Sequence, residues 1–281
     1  MIQAFLDSWA LFHVTYLAGT ALAALLALVG VWVVAREQVF LGAAIAQAST
    51  LGIAILLWAA GLGAAGAAWL ESRAAADVAA VAASVTTALL TAVPRRPGGA
   101  GADARTAWIF LAAASVPVLL LAHSPHGLEE VHRLMFSTLL GAHESELVVF
   151  VALAVASALA AARWHDRLRL LAMDPEMAAA VGLPTGRWLR GVALWLGLAI
   201  GLSIRASGLI YTFGCLVLPA LVARNLCREV GPMLWVAPLV GGAAAFAAFV
   251  VANAADVPPA HAAVALLCAL VAVTAPVRRS A

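Results

Sequence analysis

The chain has 281 residues, 65% of them apolar and 11% charged, with a mean hydropathy of +1.03. Soluble globular domains run near ~45–50% apolar and ~25% charged, so that class is excluded and an all-α polytopic membrane protein is expected. The formal net charge of +2 contains no lysine, and the sixteen arginines gather in loops, so the charge reports topology rather than binding of nucleic acid.

The first span is expected from about His13 to Ala35, ending at Arg36. The N-terminal MIQAFLDSWALFH lacks the positive n-region and cleavage site of a secretory signal, so it is expected to stay in the mature protein. A second span runs from about Phe40 to Ala60, and a third from about Ala75 to Val93 stops at PRRPGG. A fourth, about Thr106 to Ala122, leads into HSPHGLEEVHR and then MFSTLLG, too brief to cross at about 20 residues per crossing and read as an outer half-helix.

The fifth span, about Leu147 to Ala162, returns to an arginine cluster and to DPEMAAAVGL. Asp174 is placed to cap a short helix, Pro175 suits its first position, Glu176 suits the positive end of its dipole, and Gly182 with Pro184 ends it. Its length, roughly 10 Å at 1.5 Å per residue, is far below a bilayer's thickness. Such a knob is shaped for a partner's groove, although an ordinary loop helix carries the same signals.

The sixth span, about Trp188 to Ser203, holds Gly197 and Gly201 at a spacing suited to close helix contact. The seventh covers about Gly208 to Ala223, the eighth about Met233 to Ala254 and the ninth about His261 to Ala275. About eight to nine transmembrane helices in a single domain, residues 1–281, are therefore expected. Nine spans with the N-terminus outside put thirteen arginines in the cytoplasm, leaving Arg73, Arg133 and Arg205 outside, which satisfies the positive-inside rule and places the knob in the cytoplasm.

Without lysine there is no GxxxxGK[ST] phosphate loop, and neither an HExxH helix nor a GxSxG elbow occurs, so any ATP-driven step belongs to another polypeptide. Cys215, Cys227 and Cys268 lack metal-knuckle spacing and read as small buried hydrophobes. Charges deep inside the spans are scarce, which counts against an ion-coupled secondary carrier. An ATP-independent carrier or channel nevertheless stays open as an alternative.

Three stretches resemble the zinc/manganese-type permeases of the ABC-3 family. They are REQVFLGAAIAQASTLGIAI at 36–55, the knob DPEMAAAVGL at 174–183, and GLIYTFGCLVLPALVARNL at 208–226, where Gly208, Pro219, Ala220 and Ala223 fall in register; DVPP at 256–259 is a weaker match. The resemblance implies a homodimeric permease of the cell (inner) membrane that takes a divalent metal from an extracytoplasmic solute-binding protein. Asp174, Pro175, Glu176, Met177, Ala178 and Gly182 would then dock cytoplasmic ABC ATPase subunits. No permanently bound cofactor, catalytic residue or nucleic-acid partner is implied, and the metal is cargo.

The chain departs from the family pattern where it matters for cargo. Ala43 and Gln47 stand where the family has Asp and His. Gln47, Ser49 and Thr50 remain as oxygen donors on that span, and with Pro219 they are the pathway candidates, although interhelical hydrogen bonding explains them equally well. Imidazoles appear instead in the outer loop: His123, His126, His132 and His143, together with Glu129, Glu130, Glu144 and Glu146, while His261 replaces a small residue. Neutral imidazole with carboxylate suits Zn²⁺, so zinc is the expected cargo and His123, His126, Glu129, Glu130, His132, His143 and His261 are the candidate ligands. A solvated loop would look similar, and both His261 and His13 have structural readings. An importer for a chelated or organic substrate is a further alternative, favoured by Ala43 and Gln47.

Overall fold

The computed structural model describes residues 2–61, 72–92, 102–122, 129 and 143–280. Ten helices occupy them: α1 (Ile2–Ala35), α2 (Val39–Gly61), α3 (Arg73–Ala92), α4 (Ala102–Leu121), α5 (Glu144–Arg163), α6 (His165–Met173), α7 (Pro175–Ala180), α8 (Thr185–Leu226), α9 (Val230–Ala255) and α10 (Pro259–Ser280). Among the described residues there is no strand. Backbone groups in a hydrocarbon layer must be satisfied within the segment, and helices achieve this. Eight of the helices are long and apolar enough to cross a membrane.

One of the eight is exceptional. At 42 residues α8 would be about 63 Å long if straight, twice the roughly 30 Å of a bilayer core. Its backbone leaves helical geometry at Gly208, with φ 75° and ψ 171°, a region open essentially to glycine alone. The segments before and after this break correspond to the sixth and seventh expected spans, which the eight candidate helices count as one. The expected half-helix MFSTLLG lies outside the described residues.

The chain forms two compact units. In the first (Met1–Glu37, Thr138–Leu183, Ile210–Ala281), α1 is the central helix and packs along α5 and α9, while α9 also packs on α10. Leu22, Leu25, Leu26 and Val31 of α1 are buried, with Leu216 and Ala220 of α8 and Ala245 and Phe249 of α9. The buried Tyr211 hydroxyl donates to the Gly19 carbonyl at 2.9 Å, and Tyr16 meets Phe249 at 5.4 Å between centroids. Near the other end, Asn225 Nδ2 donates to Thr274 Oγ1 at 3.1 Å.

In the second unit (Gln38–Ser137, Pro184–Leu209), α2 packs against α3 and α4. The first half of α8 lies on α3, and the spacing noted in the sequence explains how. A Cβ at Gly197 would fall 2.6 Å from Val85 Cα, and one at Gly201 would fall 2.8 Å from Val81 Cα. Backbones this close let Ser84 Oγ donate to the Gly197 carbonyl at 2.7 Å, which stabilises a crossing that has no hydrophobic driving force in lipid. Arg205 closes the pair by forking onto Asp77, with Nε to Oδ1 and Nη2 to Oδ2, the latter at 3.1 Å.

Candidate functional site

The knob forms as its sequence dictates. Asp174 is extended (φ −146°, ψ 92°), and its Oδ1 accepts from the backbone N–H of Glu176 at 3.0 Å and of Met177 at 2.9 Å. Two of the orphan donors at the start of α7 are thereby satisfied, with Pro175 in the first turn where no donor is required. At the far end Gly182 is left-handed (φ 85°) and its N–H donates to the Ala179 carbonyl, while Leu183 N–H reaches back to Ala178. That pattern closes the helix after six residues.

Beside the exposed Asp174 and Glu176, its surface carries large apolar side chains. Met177 and Val181 are 53% and 60% exposed, and Met173, just before the cap, is 65% exposed, whereas Ala178 is fully buried. The knob is therefore rooted by Ala178 and presents flexible thioethers outward. Met side chains adapt to irregular grooves, so this is a surface suited to another protein.

The pathway candidates separate. Gln47, Ser49 and Thr50 are all buried on α2 in the second unit. Ser49 is committed to structure, because its Oγ donates to the Ala80 carbonyl of α3 at 3.1 Å. Thr50 Oγ1 is different: it is buried and has no hydrogen-bond partner among the described residues. A buried hydroxyl left unsatisfied costs about 1–3 kcal/mol, and a threonine in a helix ordinarily avoids this by donating to the preceding turn. Pro219 belongs to the first unit, where it is buried in α8 and packs beside Gly241 of α9.

Of the proposed zinc ligands, His123, His126, Glu130 and His132 lie outside the described residues. Glu129 is exposed. His143 stands at the N-terminal boundary of α5, where its backbone N–H donates to the Glu146 carboxylate at 3.3 Å. Glu146 thus serves as a helix cap, and Glu144 sits exposed in the same first turn. His261 is exposed in the first turn of α10, and His13 contacts the Trp9 carbonyl at 3.1 Å through Nδ1. Among the described residues no group of three His, Cys, Asp or Glu side chains could hold a metal ion.

Two features escaped the sequence reading. The helix α6, between the fifth span and the knob, lies in the arginine cluster, where the sequence names no helix. The Asp77–Arg205 pair was signalled only by opposite charges near the ends of the third and sixth spans, 128 residues apart.

Comparison with known proteins agrees with this architecture. The model of a family described as the ABC 3 transport family matches residues 9–278. The chelated iron transport system membrane protein YfeD of Yersinia pestis is 30% identical over 112 residues, a match spanning 40% of this chain and 38% of that protein. PsaBC from Streptococcus pneumoniae, solved with a Fab, superposes with a TM-score of 0.79 at 16% identity, covering 99% of this chain and 98% of that one. An inward-facing structure described as a metal-chelate type ABC transporter gives 0.74 at 15% identity, covering 95% and 87%. At those identities the likeness to the solved structures establishes the fold.

Proposed function

The chain belongs to the ABC 3 transport family, a multi-pass permease of the metal-transporting ABC class, and on that footing we propose that it imports a divalent transition metal, with zinc as the cargo. The observation that carries the reading is the knob, a capped six-residue helix whose exposed Met177, with Val181 at its C-terminal boundary, fits a groove on a cytoplasmic ATPase. Hydrolysis takes place on that partner. Two copies of this chain form the gate, an extracytoplasmic binding protein delivers the ion, and the N-terminus lies outside with the C-terminus in the cytoplasm, as the arginine distribution supports. The whole of 1–281 acts as one permease domain.

In the transport cycle, ATP-driven closure of the ATPase pair presses on the knob residues Asp174, Pro175, Glu176, Met177, Ala178 and Gly182, and the membrane helices switch between outward and inward openings. Thr50 Oγ1 and Gln47 offer neutral oxygen donors along α2 without holding the cargo tightly. Release requires exactly that weakness, because a carrier that binds strongly at mid-path cannot let go. Zinc is favoured by the imidazoles and carboxylates of the outer segment, His123, His126, Glu129, Glu130, His132 and His143, and by His261, which is expected on the same side of the membrane.

A second reading is favoured by Ala43 and Gln47: the metal travels inside its own chelator, so the path needs hydrogen bonds rather than first-sphere ligands. Uptake by the chain reconstituted with its ATPase and binding protein, measured ion by ion and with ferric chelates in competition, separates the two. Zinc uptake that a chelate cannot inhibit supports the first reading, and uptake of intact chelate the second. Transport at full rate without any ATPase subunit would overturn both.

A further inference from the structure

We propose that the Arg169–Glu229 ion pair carries movement of the knob into the membrane helix α9, which makes both side chains positioning residues for coupling. The inference rests on the knob being an ATPase docking point, as proposed above. Only Asp174 separates α6 from α7, and its backbone N–H donates to the Leu170 carbonyl at 2.9 Å, so α6 leads directly into the knob.

At its middle and its first residue α6 is fastened to α9. Arg169 Nη2 lies 2.8 Å from Glu229 Oε2. Glu229 occupies the N-cap position of α9, where a carboxylate ordinarily accepts from its own helix, yet its side chain makes no cap bond and crosses to α6 instead. Beside it the His165 ring rests against Gly231 in the first turn of α9, since a Cβ there would fall 3.0 Å from Nε2. Arg36, stacked over Trp32 at 5.5 Å, points Nη1 at the Leu171 carbonyl in the last turn of α6, 3.5 Å away.

These contacts divide the work mechanically. The His165–Gly231 seat resists compression of α6 onto α9, and the Arg169–Glu229 pair resists their separation, so α9 follows the knob in both directions. With side chains 39% and 59% exposed, the pair adds little to stability. Its consequence is therefore expected in coupling and not in folding.

The test uses the full chain in lipid discs with its ATPase and binding protein, native cysteines replaced by serine, and spin labels at Asp166→Cys on α6 and Leu239→Cys on α9, both exposed positions outside the docking surface. In the parent protein the label distance should be the same with and without ATP. Arg169→Glu or Glu229→Arg should broaden it on ATP binding and lower zinc uptake per ATP about tenfold with the ATPase still bound, and the double exchange should restore both. Arg169→Gln and Glu229→Gln give the same readout should a reversal fail to insert. An unchanged distance and unchanged uptake per ATP in the single variants would overturn the inference. Failure of the parent chain to retain any ATPase would instead overturn the docking role itself.

Discussion

At the scale of single residues, Asp174 is the side chain whose task follows most directly from its place in the chain. It accepts two hydrogen bonds from the turn that follows, and nothing outside that turn is needed. Asp174→Ala should cost about 1 kcal/mol of local helix stability and weaken retention of the ATPase subunit on purification, while Asp174→Asn should keep most of it. Equal retention by all three proteins would show that the cap is dispensable. Glu37 is the opposite case. It is left-handed (φ 56°) directly after α1, where glycine is the ordinary choice, and its side chain is exposed. A left-handed L-residue carries roughly 1–2 kcal/mol of strain, so Glu37→Gly should raise the thermal midpoint in detergent, and a lowered midpoint would assign the glutamate a compensating contact. Cys227, in the turn between α8 and α9, has its thiol pushed up by burial. Its alkylation should therefore begin above the pH range of an ordinary exposed thiol, which a maleimide rate profile would measure.

At the scale of elements, the break at Gly208 divides the 42-residue α8 into two segments. Gly208→Ala puts a Cβ on a backbone that tolerates none, at a cost of about 1–3 kcal/mol, and should lower the yield of folded protein, whereas Ala206→Gly nearby should be tolerated. Equal yields would mean the turn can form with another geometry. Deleting residues 174–182 should abolish ATPase association with membrane insertion intact, and normal co-purification would refute the docking role. Both elements were legible because glycine, proline and a capping aspartate mark them locally. The helix α6 was not, since its HDRLRLLAM mixes charge and leucine in a way that a loop or a helix satisfies, and what makes it a helix is burial of Leu171 and Ala172 against the first unit.

At the scale of the whole molecule, orientation is the property most open to a decisive measurement. A cysteine at Val181 should be protected from membrane-impermeant reagent added outside intact cells and should react once the membrane is opened. Labelling from outside would turn the knob away from every ATPase. The multi-pass helical character of the chain and the existence of a capped knob were legible in the sequence alone, because hydropathy and capping are properties of a segment and its near neighbours. Which helix meets which was decided only by tertiary structure. Ser84 and Gly197 are 113 residues apart, Arg205 and Asp77 128, Tyr211 and Gly19 192, and Arg169 and Glu229 60. A helix that is apolar on every side gives no periodic cue to its buried face, and its register is chosen by the shapes of two surfaces at once.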